Sequence, residues 1–403
     1  MGQALNVGEL KVLVVEDHGF QRRMALRMLA ELGVEQVWEA ADGAAALGVL
    51  HGMPALPDLV LVDLDMPGMD GVEFIGHIAE RHLAKGVALV SAMDQGLLNA
   101  VQSMARAHGL RVLGSIEKPL SLAKLRNLFD ALGERHPGSE DEVPVDVSRE
   151  EMREALLHDQ LVAWFQPQAE CTNGKVVAVE ALVRWRRPDG HVVRPGNFIH
   201  LLERDGHGQR LTDTMLAQAC RWKRRWEDDH GLRLQVSVNV SAAALAEPGA
   251  ADHYHALVRD LGVEPADLVL EITEGSLVSD AARGLGVLAR LRLKGFGLAI
   301  DDFGTGYSSL AQLSQIPFTE LKIDQDFVSG AGNDPRKRAV IEASLDLARK
   351  LQLEVVAEGV ESPEDWQLLA ELGCGFAQGY LIGAAVPGED LPGAISRWRR
   401  PAA

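Results

Sequence analysis

Cysteine, long apolar runs and excess positive charge are all scarce in this 403-residue chain. The three cysteines, Cys171, Cys220 and Cys374, lie far apart with no CxxC. That spacing excludes a disulfide framework and a thiolate zinc site, and it predicts free thiols in a reducing compartment. There is no HExxH either. No apolar run approaches the ~20 residues of a membrane span. The N-terminal stretch MGQALNVGELKVLVVEDH lacks the basic segment and apolar core of a secretory signal. Asn6 stands where a myristoylation motif needs Ser or Thr. We therefore expect a cytoplasmic chain with no membrane insertion. Forty Lys and Arg face 58 Asp and Glu, for a formal net charge of -18. That balance argues against binding a nucleic acid duplex, which needs a basic face. An anionic ligand would have to be held locally, by metals and a few placed cations.

Three local patterns read as ordinary structure. The basic run Arg221-Trp222-Lys223-Arg224-Arg225-Trp226 reads on a helix as two Trp packed inward with arginines in solvent. His253 and His255 point in different directions on a helix and read as surface residues. Asp302-Phe303-Gly304 matches a kinase DFG, but no glycine-rich loop or HRD accompanies it.

Strand and helix patterns alternate along most of the chain. From about residue 10 to 133, apolar runs at Lys11–Val15, Asp58–Val62 and Val87–Val90 end in Glu16-Asp17, Asp63 and Ser91. Arg111–Leu113 leads to Lys118-Pro119. This pattern predicts a doubly wound parallel sheet with polar residues at strand ends, where ligands bind in such folds. Residues 135–150 lose periodicity and gain Pro, Gly and acids, which predicts a linker between domains at 8–134 and 151–400. Ser148 and Glu151 form a capping box. It starts a helix that opens the second domain or extends the linker into an interdomain contact.

In the remainder, six strand-like runs carry Glu180, Asn239, Glu271, Asp301-Asp302, Lys322 and Glu358 inside or at their ends. Alternation of strands and helices predicts a (β/α) barrel with chemistry at the carboxyl ends of the strands. Carboxylates converging on one rim repel unless cations sit between them. Hard oxygen donors favour Mg²⁺ or Mn²⁺ over zinc. Asp301-Asp302 can bind two ions, which can activate a water and stabilise a displaced phosphate oxygen. Lys322 can orient the hydroxide or balance charge. In the first domain Glu16, Asp17 and Asp63 can hold one Mg²⁺, which lets a phosphoryl group approach Asp63. Lys118 would neutralise the added charge, and Ser91 offers a hydroxyl donor.

At these residues two resemblances emerge. VEDH, LVDLDMPGMDG, VSA and EKP resemble the receiver domain of bacterial response regulators, a flavodoxin-like fold. The resemblance implies Asp63 as phosphoacceptor, Glu16 and Asp17 as Mg²⁺ ligands, Ser91 as switch hydroxyl, Lys118 as the site lysine, a cis bond at Lys118-Pro119, and a cognate sensor histidine kinase as partner. Receivers usually carry Tyr or Phe where this chain has Ser115. FQPQ, EALVRW, NFIHLLE, VNVS, LEITE, DDFGTGYSSL, LKID, AEGVE and QGYL resemble the EAL domain. That implies a TIM-like (β/α)8 barrel whose first strand is antiparallel, and hydrolysis of cyclic di-GMP to linear 5'-pGpG. Carried over by motif, Glu180, Asn239, Glu271 and Asp301 bind one metal, and Asp301, Asp302 and Glu358 a second. Lys322 contacts the attacking water, and Glu358 assists proton removal. Arg184 holds a substrate phosphate, Gln166 and Gln378 touch substrate, and Glu274 braces the loop Phe303–Ser309. The family often has a Lys-Pro pair where this chain runs Gly383-Ala384-Ala385-Val386-Pro387. The expected protein is a phosphorylation-controlled phosphodiesterase, in a homodimer or higher homo-oligomer. The alternative is a silent cyclic di-GMP receptor.

Overall fold

The structure, a computed structural model, describes residues 7–53, 55–81, 83–91, 93, 98, 101–102, 104–105, 110–133, 147–247, 249–273, 281–304 and 316–401. The chain falls into two compact units, Met1–Ser139 and Glu140–Ala403.

In the first unit five strands form one parallel sheet. They are β1 (Lys11–Val15), β2 (Gln36–Ala40), β3 (Leu59–Asp63), β4 (Gly86–Ser91) and β5 (Arg111–Glu117), in the order β2-β1-β3-β4-β5. Every residue of β3 and β4 is buried, as central strands covered on both faces require. Two apolar clusters flank the sheet, one around Leu13, Val60 and Phe74 and the other around Val12, Leu61 and Leu125. Strand order reverses between β1 and β3, which opens a crevice at their carboxyl ends. Edge strand β2 has no counterpart among the apolar runs read from sequence. Its sequence Gln36-Val37-Trp38-Glu39-Ala40 breaks the apolar run with Gln36 and Glu39, and only Ala40 is buried.

In the second unit, the barrel strands are β6 (Leu161–Glu170), β7 (Val176–Arg186), β9 (Gln235–Asn239), β10 (Leu268–Thr273), β11 (Gly297–Phe303), β12 (Glu320–Ile323), β13 (Glu354–Ala357) and β14 (Phe376–Gln378). Short strands β8 (Val192–Val193) and β15 (Val386–Pro387) extend the sheet at its two ends. The order β6-β14-β13-β12-β11-β10-β9-β7 closes through β6–β7 pairing. The strands from β7 through β14 in that ring run parallel, and β6 is antiparallel to both neighbours. The antiparallel first strand is thus as the sequence predicted.

The helix Arg149–Leu157 belongs to this unit. Ser148 Oγ accepts from Glu151 N at 3.2 Å while Glu151 Oε2 accepts from Ser148 N at 2.9 Å, and Met152, Ala155 and Leu156 enter the barrel core. On helix Gly208–His230 the arginines of the basic run are exposed, as expected, and one further residue is buried. Trp226 is buried and Trp222 stacks on it, but Lys223 is buried too. Helical spacing puts Lys223 on the same inner face as Ala219, Cys220 and Trp226. Its ammonium is satisfied there by the Leu234 carbonyl at 3.1 Å and Asp267 Oδ2 at 3.3 Å. The three cysteines are free and buried.

Candidate active site

The barrel mouth gathers the predicted acids around one lysine. Lys322 Nζ lies 2.6 Å from Glu358 Oε1, 2.8 Å from Glu271 Oε2, 3.1 Å from Asp301 Oδ1 and 3.4 Å from Glu180 Oε2. Lys322, Glu271 and Glu180 are buried, and Asp301 nearly so. Asn239 Nδ2 donates to Glu180 Oε1 at 3.0 Å, and Gln378 Nε2 to Glu180 Oε2 at 2.6 Å. Register explains the convergence. Parallel pairing sets Asn239 beside Glu271, with Glu180 two residues behind Asn239 and Asp301 two residues ahead of Glu271, so successive strands present their polar residues on the same inward face near their carboxyl ends.

Adjacent residues of a strand point to opposite faces. Asp301 and Asp302 escape that alternation, because the β11–β12 register shifts between Ile300 and Phe303 and Asp302 adopts φ 57°. The result places carboxylate oxygens of Asp301, Asp302 and Glu358 within 4.8 Å of one another. Gly379 helps to hold Gln378 in place. A Cβ there would fall 2.2 Å from the Val360 carbonyl oxygen, so only glycine lets the two backbones meet.

Four carboxylates share one ammonium, and the proton affinities reflect it. Burial lifts Glu358 to about 8, with Asp301 and Glu180 adding to the rise against Lys322. Burial, then Asp301 and Asp324, lifts Asp302 to about 6. Glu271 is driven well above its ordinary value by burial and by Glu180. Burial also works to raise Glu180, but Lys322, Gln378, Glu271 and Asn239 bring it below its usual range. Lys322 resists the effect of burial because Asp301, Glu180, Glu271 and Glu358 hold its proton. Glu271 Oε1 is buried and accepts no hydrogen bond. An orphaned carboxylate oxygen in an acidic cluster with an oxygen-rich donor set fits a hard divalent cation. Glu180, Asn239, Glu271, Asp301, Asp302 and Glu358 would hold such ions.

Above this level stand the expected substrate contacts. Arg184 lies two turns of strand alternation beyond Glu180 on the same face of β7, with its guanidinium 5.7 Å from the Trp164 ring centroid. Burial, and next the charge of Arg194, depress its pKa. Gln378 Nε2 reaches Gln166 Oε1 at 3.2 Å, and Gln166 Nε2 donates to the Gly383 carbonyl at 3.2 Å. The departure at Gly383 therefore borders the expected substrate residues. Glu274 and residues 305–309 of the loop Phe303–Ser309 lie outside the described residues.

The first unit forms its own acidic site. Glu16, Asp17 and Asp63 bring carboxylate oxygens within 4.8 Å of one another. Lys118 Nζ bridges Asp63 Oδ2 at 2.7 Å and Glu16 Oε2 at 2.9 Å. Those bonds keep the Lys118 proton tightly held although burial works to release it. Burial raises the Glu16 carboxyl, and Asp63 adds to the rise. Gly71 lets the following helix approach: a Cβ there would sit 2.2 Å from the Asp63 carbonyl oxygen. Ser91 ends β4 one residue past Val90, the register partner of Asp63, and its Oγ accepts from Met93 N at 3.1 Å. The Lys118–Pro119 bond is cis.

Three residues near the barrel mouth went unnoticed in the sequence. Glu320 sits two residues before Lys322 on the same face of β12, buried, with Oε1 unpartnered. Asp324 caps the next helix turn through Asp326 N at 2.7 Å and touches Asp302. Arg194 stands across from Arg184. Period-2 alternation from Lys322 was a signal available for Glu320; the other two have none.

The EAL domain family model matches residues 149–385, and the response regulator receiver domain model matches residues 12–130. The chain is 34% identical to the cyclic di-GMP phosphodiesterase RocR of Pseudomonas aeruginosa, over 94% of this chain and 97% of that protein. Among solved structures it resembles the PaMucR phosphodiesterase in complex with c-di-GMP (TM-score 0.57, 39% identity, 60% of this chain and 98% of that one). It also resembles the EAL enzyme Bd1971 bound to cAMP and cyclic di-GMP (TM-score 0.59, 28% identity, 68% of this chain and 75% of that one).

Proposed function

Because the chain belongs to the EAL domain family and carries a receiver domain ahead of it, we propose that it hydrolyses cyclic di-GMP to linear 5'-pGpG under control of receiver phosphorylation. The observation that carries the reading is the mouth of the barrel, where four carboxylates share one buried lysine and leave a buried oxygen orphaned. Two Mg²⁺ or Mn²⁺ ions held by those acids would supply Lewis acidity and a more acidic water.

The side chains divide the remaining work. Arg184, with no carboxylate partner among the described residues, holds a substrate phosphate. Gln166 and Gln378 fix the substrate edge, and the Gln378–Glu180 bond ties that contact to the metal-binding acids. Lys322 orients the attacking water with its firmly held positive charge. Glu358, at the edge of the cluster and bonded to Lys322 at 2.6 Å, accepts a proton from the attacking water. Metal-dependent turnover of cyclic di-GMP tests this reading.

In the receiver, Asp63 accepts a phosphoryl group from a cognate sensor histidine kinase, with Glu16 and Asp17 holding one Mg²⁺. Lys118, already bonded to Asp63, neutralises the new charge. Ser91 supplies the switch hydroxyl. The receiver spans 8–134 and the phosphodiesterase 151–400, joined by 135–150. A local charge change of about -1.5 to -2 alters turnover by shifting the balance between conformational states of a cytoplasmic homo-oligomer.

A further inference from the structure

β7 and β8 pair antiparallel, with Trp185 opposite Val193 and Arg186 opposite Val192. Continuing that register one residue further opposes Arg184 to Arg194. Arg194 keeps extended geometry just past the end of β8, with φ -81° and ψ 157°. The register extended by that one step places the two arginines across from one another at the end of the strand pair. Like charges directly opposite destabilise a sheet. After burial, the charge of Arg194 is the next influence that depresses the Arg184 guanidinium, in keeping with that placement.

Among the described residues, Tyr380 and Glu180 offset only part of this repulsion at Arg184. Arg184 donates to the Val183 carbonyl at 2.8 Å; the Arg194 carbonyl accepts from Asn197 N at 3.2 Å, but among the described residues the Arg194 guanidinium has no hydrogen-bond or ion-pair partner. Arg194 is half-buried, so water does not fully screen it. Beside them, the Trp164 indole N–H is buried with no hydrogen-bond partner, and its ring lies next to Arg184. All three groups stand beyond Glu180 on the outer side of the mouth. Two unpaired cations and an orphaned donor form an anion site, not a structural ion pair.

We propose that Arg194 is a substrate-binding residue of the phosphodiesterase site, clamping with Arg184 the phosphodiester of cyclic di-GMP that is not cut. A cyclic dinucleotide carries two phosphodiesters. The acids around Lys322 serve the cleaved one, and the arginine pair lies along the strand from them. This inference rests on the proposed phosphodiesterase activity. It also supplies a cation at the rim of a chain that has Ala384-Ala385 where a Lys-Pro pair is usual.

The test is steady-state hydrolysis of cyclic di-GMP by full-length wild type, Arg194→Ala and Arg194→Lys, at low and high salt, with melting temperatures for each. Losing a charged hydrogen bond should raise KM about 10-fold or more in Arg194→Ala while kcat stays nearly constant. Arg194→Lys should recover most of that loss, because an ammonium also binds phosphate as a point charge. The wild-type KM should climb more steeply with salt than that of Arg194→Ala. The melting temperature of Arg194→Ala should hold or rise, since the substitution removes a repulsion. An unchanged KM in Arg194→Ala overturns the inference, as does Arg194→Lys behaving like Arg194→Ala. A raised KM accompanied by a lowered melting temperature would assign Arg194 to the fold and overturn it too. Wild-type protein without turnover would instead remove the phosphodiesterase reading itself.

Discussion

Glu320→Gln isolates the energetic cost of an acid inside the barrel. Glu320 faces inward one layer below Lys322, 7% exposed, and its Oε1 has no partner. Burial lifts its carboxyl from 4.5 to about 7, with Glu354, Glu180 and Asp301 adding to the rise against Lys322. At roughly 1.36 kcal/mol per pH unit, that displacement corresponds to about 3 kcal/mol. The folded value lies above the unfolded one, so the folded protein binds the extra proton. The contribution is therefore complete below pH 4.5 and is lost as pH rises through 7. Glutamine cannot ionise and removes this dependence. Thermal melts of wild type and Glu320→Gln in EDTA at pH 5 and pH 8 measure it. Between those pH values the melting temperature of the variant relative to wild type should rise by roughly 5–10 °C, given about 2–4 °C per kcal/mol for a domain of this size. Any fixed cost of burying the amide cancels in that comparison. A difference between the two proteins that is the same at both pH values would refute the reasoning.

Three further outcomes follow from the two sites. Glu358→Gln keeps shape but removes the proton acceptor and a metal ligand, so kcat should fall roughly 10²-fold or more with a much smaller change in KM; near wild-type turnover would remove Glu358 from its role. Replacing Mg²⁺ with Ca²⁺, which takes more ligands at longer distances, should abolish turnover, and equal rates in the two ions would contradict a site suited to the smaller ion. A small phosphodonor should change the kcat of wild type but not of Asp63→Asn, whose basal rate should match unphosphorylated wild type, and Ser91→Ala should blunt the response; an identical response in wild type and Asp63→Asn would exclude Asp63 as the input.

Much of this architecture was legible because parallel barrels put chemistry at strand ends. Glu180, Asn239, Glu271, Asp301, Lys322 and Glu358 each close or interrupt an apolar run, and the structure brings them to one level. The pairing of Asp301 with Asp302 was read from the sequence, but the backbone that brings their carboxylates into one cluster was not legible. It depends on a register shift and a left-handed φ at Asp302, a backbone state that side-chain identity alone does not announce for a non-glycine residue. The basic run was read for its tryptophans and arginines only; the buried position of Lys223 follows from helical phase relative to Cys220 and Trp226. Edge strand β2, Gln36-Val37-Trp38-Glu39-Ala40, was missed because two polar residues interrupt its short apolar run. Arg194 could not be paired with Arg184 before the β7–β8 register was known, because the hairpin between them has no repeat or motif that fixes its length.

Hydrolysis of cyclic di-GMP by the purified full-length chain tests the central claim most directly. Substrate and products are separated by chromatography with Mg²⁺ or Mn²⁺, with EDTA, and for Glu180→Ala. The account predicts metal-dependent conversion to linear 5'-pGpG, lost in EDTA and in Glu180→Ala. Binding of cyclic di-GMP without cleavage under all of these conditions would contradict it and leave a receptor in place of an enzyme.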